Sequence, residues 1–356
     1  MNVLDRASRK IEHIEHTLKL SSIETRPFDE IKFVHQSIPN ISVDEVEINT
    51  KIGELNLSSP IFINAMTGGG GEPTIRINRA LSKLAKKYKM GMAVGSQMAA
   101  LKNRSERRSF EVVREENPNG IIISNLGSEA TVEQARAAVE MIDADALQIH
   151  LNVIQELIMP EGDRSFSGAL DRIKAIVENI SVPVIIKEVG FGISKEVATK
   201  LANIGVNMID IGGYGGTNFA KIENLRREDS LELFNDWGIP TGASICEVKA
   251  TQPFISVIGT GGMKTGLDIA KAISLGASAV GIAGLFLKQF HENDFEGLEL
   301  TVERLHFELK MVMTALGIKK VADLRKVPIV ISGETYHWLE QRGISTKNYA
   351  LRILPN

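Results

Sequence analysis

Short apolar runs alternate with longer amphipathic segments along most of this chain, and this alternation limits the possible folds more than any other feature. Near-continuous apolar runs bounded by Gly, Asn or Pro are typical of strands buried on both faces, as in a parallel sheet. Eight such runs occur, at residues 61–65, 90–94, 121–124, 146–150, 184–187, 208–211, 255–258 and 279–282. Helical patterns lie between several of them, at 74–87, 131–141, 194–202 and 265–275. The pattern predicts an α/β fold, a closed (β/α)8 TIM-type barrel with an N-terminal extension, and an open doubly wound sheet is the alternative.

The 356-residue length fits one such barrel with additions at both ends. We expect residues 61–320 to form the barrel and residues 321–356 a C-terminal tail packed on it. Residues 1–60 read as an added segment, in which the alternation at 41–57 predicts a hairpin. Two connections are long, at 151–168 after the fourth strand and at 212–238 after the sixth. Both follow the carboxyl end of a strand, where barrel active sites are built.

Composition excludes several classes of protein. The net charge of −3 gives no general attraction to nucleic acid. Cys246 is the single cysteine, so no disulfide forms within the chain and a reducing cytoplasm is the expected location. Charged residues begin at Asp5, which argues against a secretory signal. The longest uncharged apolar stretch, 275–287, is too short to span a bilayer as a helix, so no membrane partner is expected.

Two glycine motifs near the end of the barrel predict a phosphate site. The sequence 258–264 (IGTGGMK) closes the seventh strand, and Ala283-Gly284 follows the eighth. Glycines let backbone N–H groups approach a phosphate, and a following helix N-terminus adds a favourable dipole. Either motif alone could be a tight turn, but their joint occurrence after strands seven and eight favours phosphate.

Two further strand ends suggest a ligand at the barrel mouth. Small residues follow the first strand at 64–71 (NAMTGGGG), where Thr67 could hydrogen-bond a flat ring; a merely flexible glycine loop is the alternative. Lys187 ends the apolar fifth strand, and a buried lysine is costly unless it meets an anion. That anion is either a ligand or a structural partner, Glu188 or Asp210.

The fourth strand carries a polar series at its carboxyl end. Alternation places Gln148, His150 and Asn152 on one face, directed into the mouth. His and Asn are good donors to a diphosphate. Glu156 offers one hard oxygen ligand in a long loop, which suits a magnesium ion that keeps waters and bridges substrate phosphates; a solvated surface glutamate is the alternative. A basic pair, Arg9-Lys10, lies in the extension and would ordinarily be a solvated helix face.

Read in order, these motifs resemble the type 2, FMN-dependent isopentenyl-diphosphate delta-isomerases over nearly the whole chain. The resemblance is most specific in HLNVIQE (150–156), KEVGFG (187–192) and GGYGGTNF (212–219). The glycine motif alone would fit any FMN barrel, including hydroxy-acid oxidases and IMP dehydrogenases. The resemblance implies an isomerase of isoprenoid biosynthesis that uses FMN and Mg²⁺, with NADPH as reductant. It also implies a homo-oligomer, tetramer or octamer, because the family's N-terminal segment often completes a neighbouring site.

The resemblance also implies a role for individual residues. FMN would be held by Ala65, Met66, Thr67, Ser96, Asn125, Lys187 and Thr217, and its phosphate by Gly261, Gly262, Met263, Lys264, Ala283 and Gly284. The substrate diphosphate would meet Arg9, Lys10, His150, Asn152 and Gln155, with Glu156 holding the metal. The catalytic residues would be Gln155, Lys187 and His150. Where some relatives carry arginine after GSQ this chain has Met98, and Lys102 or Arg104 could replace that contact.

The chemistry thus predicted moves a double bond by adding a proton at C4 and removing one at C2. Neither carbon is activated by a carbonyl, so a strong and well-placed acid is needed. Reduced flavin is the expected acid and base, Lys187 would stabilise negative charge on it, and Gln155 would position groups or relay a proton. Two alternatives stay open: an FMN-dependent oxidoreductase of the hydroxy-acid oxidase type, with His150 as its base, and a barrel that binds flavin without catalysis.

Overall fold

The computed structural model describes residues 12–16, 18 and 27–354. Within this part of the chain the strands are β1 (Ile31–Phe33), β2 (Thr50–Ile52), β3 (Leu55–Leu57), β4 (Ile61–Ile63), β5 (Met92–Ala93), β6 (Ile122–Gly127), β7 (Ala146–Leu151), β8 (Val184–Glu188), β9 (Met208–Asp210), β10 (Ser256–Thr260), β11 (Ala279–Ile282) and β12 (Ile329–Ile331). The helices are α1 (Glu72–Tyr88), α2 (Met98–Lys102), α3 (Arg108–Glu116), α4 (Val132–Met141), α5 (Val153–Ile158), α6 (Ala169–Asn179), α7 (Lys195–Asn203), α8 (Phe219–Asn224), α9 (Thr241–Thr251), α10 (Gly266–Leu275), α11 (Gly284–Ala315), α12 (Gly333–Gln341) and α13 (Lys347–Ala350). Residues 12–16 are also helical.

Strands β4 to β11 form a closed parallel barrel, in the order in which they occur along the chain. The barrel closes where β11 pairs with β4, with Val280 opposite Ile61. Each of the eight apolar runs forms one strand, so the predicted closed barrel is confirmed and the open sheet is wrong. Closure gives every barrel strand two neighbours, so none is left with an unpaired edge.

Side chains of alternating residues fill the barrel interior. Phe62, Ile123, Ile185, Met208 and Ile258 are all buried in one apolar cluster. The hairpin of β2 and β3 adds its own side chains to the same cluster. The hairpin therefore closes the amino-terminal end of the barrel, and the carboxyl end is left for chemistry.

The predicted hairpin exists but is shorter than the alternation at 41–57 suggested. Residues 43–45 form a 3-10 turn because Ser42 N–H donates to Glu45 Oε1 at 2.9 Å, so the first half of the run is not a strand. Only 50–57 pairs as a hairpin. Gly53 N–H at its turn donates to Ser256 Oγ at 2.9 Å and fixes it under the start of β10.

Helices α4, α7 and α10 begin at side-chain caps. Thr131, Ser194 and Thr265 each accept a hydrogen bond from the backbone N–H three residues later. Such caps satisfy one of the N–H groups that a helix start leaves unpaired, typically stabilising it by about 1 kcal/mol. They also fix where each helix begins after its strand. The helical patterns that start at these residues are confirmed to within one residue at either end.

A two-stranded antiparallel sheet joins the two ends of the described chain. Strand β1 pairs with β12, with Ile31 opposite Ile331, and both residues are buried. Glu30 strengthens this contact by accepting hydrogen bonds from the backbone and hydroxyl of Thr335. This sheet thus connects residues 329–331 to residues 31–33. Among the described helices, none is long and apolar enough to cross a membrane.

Candidate active site

A buried carboxylate lies at the centre of the barrel mouth. Asp210 ends β9, is fully buried, and accepts a hydrogen bond from Asn64 Nδ2 at 2.7 Å. Gly212 N–H donates to its other oxygen at 3.2 Å, and the Thr260 hydroxyl donates to that oxygen as well. Strand ends β4, β9 and β10 are therefore tied together by one acidic group. Several donors on one carboxylate offset the cost of burying its charge.

Lys187 is the penultimate residue of β8 and lies beside this carboxylate. Its Nζ lies 3.5 Å from Asp210 Oδ2 and donates to the carbonyl oxygen of Glu188 at 2.7 Å. Of the two structural partners that the sequence left open, Asp210 is the one whose carboxylate lies beside the Lys187 ammonium. The lysine side chain keeps about 10% of its surface exposed, so the ammonium lies at the floor of the mouth and can also meet a ligand.

A chain of side-chain hydrogen bonds extends from Asp210 across β7 and β6. Gln148 Nε2 lies 3.3 Å from Asp210 Oδ2, and Asn125 Nδ2 donates to Gln148 Oε1 at 2.9 Å. Asn125 Oδ1 then meets His150 Nδ1 at 2.8 Å. Gln148 is fully buried, whereas His150 is half-buried, so the histidine is the member of this series nearest the open mouth. The series fixes its ring orientation.

Thr67 presents a buried hydroxyl just after the carboxyl end of β4. Its backbone oxygen accepts hydrogen bonds from Gly95 N–H at 3.0 Å and Asn78 Nδ2 at 3.2 Å, so the residue is held rigidly. Its side-chain oxygen is buried and has no hydrogen-bond partner among the described residues. Buried hydroxyls are nearly always paired, so this atom indicates a group that binds here. Ala65, Met66 and Ser96 flank it, each half-buried at the ends of β4 and β5.

The loops after β9 and β10 contact each other through their glycine backbones. A Cβ on Gly261 would lie 2.2 Å from the carbonyl oxygen of Gly213, and one on Gly262 would lie 2.3 Å from that of Gly215. A Cβ on Gly216 would come within 2.8 Å of Gly262 N. No larger residue fits at these positions. Both Gly261 and Gly262 also have positive φ, 115° and 79°, which other residues rarely adopt.

The N-terminus of α11 completes this group of loops. A Cβ on Gly284 would lie 3.4 Å from the hydroxyl of Thr217, so the loop after β9 also reaches the start of α11. Ala283, at the N-cap, makes no side-chain cap hydrogen bond. We call the loops 212–217 and 261–264 together with residues 283–284 the glycine cradle. A helix start without a side-chain cap, next to glycine backbone that a ligand can approach closely, is a suitable site for a phosphate.

The predicted metal and substrate residues form a second group on α5. Strand β7 ends at Leu151, so Asn152 leaves the strand and becomes the N-cap of α5. Its Nδ2 donates to Glu156 Oε1 at 2.7 Å, and Asp163 N–H donates to Glu156 Oε2 at 2.8 Å. The carboxylate of Glu156 is therefore oriented by its neighbours. Among the described residues no three His, Cys, Asp or Glu side chains cluster as a metal site, so any metal here has few protein ligands.

Gln155 has a partner that the sequence did not predict. Its Nε2 donates to Glu223 Oε1 at 2.8 Å, which joins α5 to α8. His13 Nε2 lies 2.9 Å from the same oxygen, and Arg226 Nη1 lies 2.6 Å from Oε2. Burial alone would raise the pKa of Glu223, but the hydrogen bonds from His13, Gln155 and Arg226 hold it at about 2. Glu223 is therefore a permanent anion that anchors the N-terminal segment beside α5.

Several residues predicted to contact the diphosphate lie outside the described residues or make no contact that places them at the mouth. Arg9 and Lys10 lie outside the described residues, although His13, three positions later, contacts Glu223. Met98 is buried at the start of α2, while Lys102 and Arg104 are exposed. Among the described residues, neither of these two basic residues makes a side-chain hydrogen bond or ion pair that would assign it to the mouth.

The residues that sequence reasoning missed are mainly buried acids. Asp210 was considered only as a structural partner of Lys187, and Glu223 was not considered. Glu188, also considered only as a structural partner, is a third: burial raises its pKa to about 8, although the Phe191 and Gly192 N–H groups donate to it. A single buried acid on a strand or helix carries no pattern of its own in the sequence. Its partners come from distant elements, and only the fold brings them together.

A flavin mononucleotide fits these features. The glycine cradle suits its phosphate, the unpaired Thr67 oxygen and the half-buried residues beside it suit a ring, and Lys187 supplies a cation at the floor. The solved structures to which the chain is similar have the same fold. A mandelate oxidase with an FMN adduct shares 14% identity and a TM-score of 0.63, over 86% of this chain and 90% of the other. A flavocytochrome b2 variant shares 18% identity and a TM-score of 0.66, over 94% and 85%.

Sequence comparison gives a closer relationship. The FMN-dependent dehydrogenase family matches residues 98–330. An isopentenyl-diphosphate delta-isomerase of Geobacillus sp. (strain WCH70) is 56% identical over 98% of this chain and all of its own. That of Bacillus cytotoxicus is 58% identical over 98% of this chain and 99% of its own. The chain therefore belongs to the FMN-dependent dehydrogenase family and to the isopentenyl-diphosphate delta-isomerases, as the motifs predicted.

Proposed function

We propose that this protein interconverts isopentenyl and dimethylallyl diphosphate in isoprenoid biosynthesis, with reduced FMN as acid and base and Mg²⁺ holding the diphosphate. The observation that carries the proposal is 58% identity to an isopentenyl-diphosphate delta-isomerase across nearly the whole of both chains. The glycine cradle and the unpaired Thr67 oxygen support the flavin part. Isomerisation assayed with reduced FMN and Mg²⁺ tests it directly.

FMN would be held by the residues that line the mouth. Its phosphate would meet the backbone of Gly261, Gly262, Met263, Lys264, Ala283 and Gly284, with the Thr217 hydroxyl beside them. Its ring would meet Ala65, Met66, Thr67, Ser96 and Asn125, with Lys187 at one edge. When bound and reduced, the flavin would supply the exchangeable proton that an unactivated alkene requires.

The chain's own residues then bind and orient the substrate. His150, fixed by Asn125, and the amides of Asn152 and Gln155 are donors of the kind that bind diphosphate oxygens. Gln155 is held by Glu223, so its carbonyl oxygen is directed away from that anion and can position or relay a proton. Contacts to the diphosphate are remote from the reacting carbons, and their binding energy holds those carbons in the reactive orientation. Lys187 stabilises negative charge at the ring edge.

Magnesium binding is assigned to Glu156. Magnesium in phosphate-binding sites commonly keeps several waters and uses one or two carboxylates together with substrate phosphates. Glu156 is already oriented by Asn152 and Asp163, which reduces the cost of placing it on the metal.

Replacing Glu156 by Gln should weaken the magnesium dependence without releasing FMN. Loss of one charged contact, about 1.5–3 kcal/mol, corresponds to roughly ten- to hundredfold more Mg²⁺ for half-maximal activity. The measurement is a magnesium titration of activity beside the flavin absorbance. Glu178→Gln, an exposed carboxylate on α6, is the matched control. A titration unchanged from wild type would show that Glu156 is a surface carboxylate only.

The basic pair of the extension should contribute to diphosphate binding. We expect Arg9→Ala with Lys10→Ala to raise the Michaelis constant by an amount equivalent to about 2–4 kcal/mol, since two charge-assisted contacts are lost. Flavin content should stay constant. Lys83→Ala with Lys86→Ala removes two exposed cations from α1 and serves as control. If the first pair had no more effect on kinetics than the control pair, the extension would not belong to the site.

The proposal also includes a reductant, a cellular location and an oligomeric state. NADPH is the proposed reductant, because some donor must keep the flavin reduced. A reducing cytoplasm agrees with a chain whose single cysteine, Cys246, is buried and free. The contact of residues 12–16 with α8 supports a structured extension, and we propose that it contributes to a homo-oligomer, a tetramer or octamer.

A further inference from the structure

A cavity lies in the wall of the barrel, away from the mouth. Its volume is about 290 Å³, and the C-terminal turn of α9, the end of α10, the 3-10 helix at 321–326 and the region of α13 surround it. Residues 249 and 276 on its rim lead into the starts of β10 and β11. The cavity is therefore at the amino ends of these strands, opposite to the glycine cradle. We call it the rear pocket.

Three cations line the rear pocket: Lys249, Arg325 and Arg352. Each is held by neutral oxygens. Lys249 Nζ donates to the carbonyl oxygen of Ile255 at 2.9 Å, Arg325 Nη2 donates to that of Ala277 at 3.0 Å, and Arg352 Nη1 donates to that of Ser274 at 2.7 Å. In the described part of the chain, none of the three forms an ion pair with a carboxylate.

Helix ends account for only part of this positive charge. Lys249 and Arg325 lie in the last turns of α9 and of the 3-10 helix, and Arg352 binds a carbonyl group in the last turn of α10, where cations are favourable. Each helix end carries about half a negative charge, so three ends supply roughly one and a half units against three positive charges. About one and a half positive charges remain uncompensated, which is comparable to the charge of a phosphate group near neutral pH, about −1.5 to −2.

The three cations are also partly removed from water, which disfavours their charged forms. Burial first, and the nearby charge of Arg325 second, lower the pKa of Lys249 to about 8. Burial also lowers the pKa of Arg325 and of Arg352. Like charges in a partly buried place oppose one another unless an anion joins them.

The shape of the rear pocket suits an organic phosphate. The Arg352 guanidinium stacks on the ring of Tyr349 at 4.5 Å, which fixes its orientation. Its Nη2 makes no hydrogen bond in the described structure and can donate to a ligand. Leu275 and Ile344 add apolar surface to the lining, and the volume exceeds what a lone phosphate needs. A small carbon group attached to the phosphate would find contact there.

We propose that the rear pocket is a second anion site, which takes the phosphate or diphosphate group of a small phosphorylated metabolite. It is independent of the barrel mouth and does not rest on the proposed isomerase function. Binding there would link the last turn of α9, the end of α10 and the C-terminal region through one ligand.

Calorimetric titration of the FMN-loaded full chain tests the proposal, with inorganic phosphate, inorganic diphosphate and isopentenyl diphosphate as separate probes. Lys249→Gln with Arg352→Gln should weaken rear-pocket binding at least about a hundredfold, because two charged contacts are lost. Lys249→Arg should retain it. Lys83→Gln with Lys86→Gln is the matched control on α1, and Asn152→Ala removes a predicted contact in the mouth. Comparison of the three probes identifies whether the organic group contributes.

Each outcome either supports or overturns the proposal. Binding that survives Asn152→Ala and the control pair, but not the rear-pocket pair, supports the proposal. Should the double variant fail to fold, Lys249→Gln alone is compared with Lys249→Arg, and a tenfold or greater difference in affinity supports it equally. Absence of binding in the wild type, affinity unchanged by the rear-pocket variants, or binding lost with Asn152→Ala would each overturn it. In those cases the three cations serve the helix ends alone.

Discussion

Reduced, magnesium-loaded enzyme is expected to convert isopentenyl diphosphate through many turnovers per reducing equivalent, whereas the oxidised enzyme is expected to be nearly inactive. The reason lies in the electron count. Isopentenyl and dimethylallyl diphosphate have the same oxidation state, so turnover does not consume the reduced cofactor. The oxidised enzyme lacks the proposed acid and base, which is the reduced form of FMN. The measurement is product formed against dithionite or NADPH added without oxygen, with FMN and Mg²⁺ saturating.

The same reaction in deuterated water should place deuterium in the new methyl group of the product. We expect the proton added at C4 to come from an exchangeable position, because N–H and O–H protons exchange with solvent and the half-buried His150 lies at the open side of the mouth. Mass spectrometry of the product gives the answer directly. Label confined to the C2 position would mean that the proton at C4 does not come from an exchangeable group.

Two other results would redirect the assignment. Consumption of one oxidant per turnover, with a hydroxy acid as substrate, would favour an oxidoreductase in which His150 is the base. Flavin binding with no turnover of either substrate would favour a binding protein. The similarity to mandelate oxidase and flavocytochrome b2 supports the fold and does not choose between them, because the identities are only 14% and 18%.

The barrel was predictable because it repeats one local pattern eight times. Each barrel strand coincides with an apolar run, and helices α4, α7 and α10 coincide with helical patterns that begin at a capping residue such as Thr131. The small sheet of β1 and β12 was not predictable by the same means. Its strands have three residues each and lie about 300 positions apart, so neither has enough local pattern to be detected.

Some features of the site were likewise predictable from local sequence patterns, and others were not. Glycine motifs were informative because close backbone approach permits no other residue, as the contacts of Gly261 and Gly262 demonstrate. The Gln155–Glu223 contact was not foreseeable, since it depends on how α5 packs on α8. Asn152 illustrates the limit of strand alternation. The alternation rule holds only while the strand continues, and β7 ends one residue before it.

We also expect a large effect from substitution of Lys187, which can act as the ion-pair partner of Asp210 and as a cation for the flavin. One substitution cannot separate these two roles. Lys187→Met removes the cation from a possible ligand and also leaves the fully buried Asp210 without its ion-pair partner. Leaving a buried charge uncompensated typically costs about 3–5 kcal/mol. We therefore expect this variant to lose both thermal stability and activity.

Asp210→Asn combined with Lys187→Met separates the two tasks, because it removes both charges from the same place. Stability should recover in part, since no unpaired charge remains, although the donors from Asn64 and Gly212 lose a carboxylate acceptor. Isomerase activity should stay at least about a hundredfold down, as is typical when one preorganised electrostatic contact is lost. Flavin affinity, measured by absorbance after dialysis, should also remain weak. If the double variant regained flavin and turnover along with its stability, Lys187 would be a structural partner of Asp210 and nothing more. Persistent loss in a well-folded double variant would instead assign the ammonium to the flavin, because the structural cost has then been removed from the comparison.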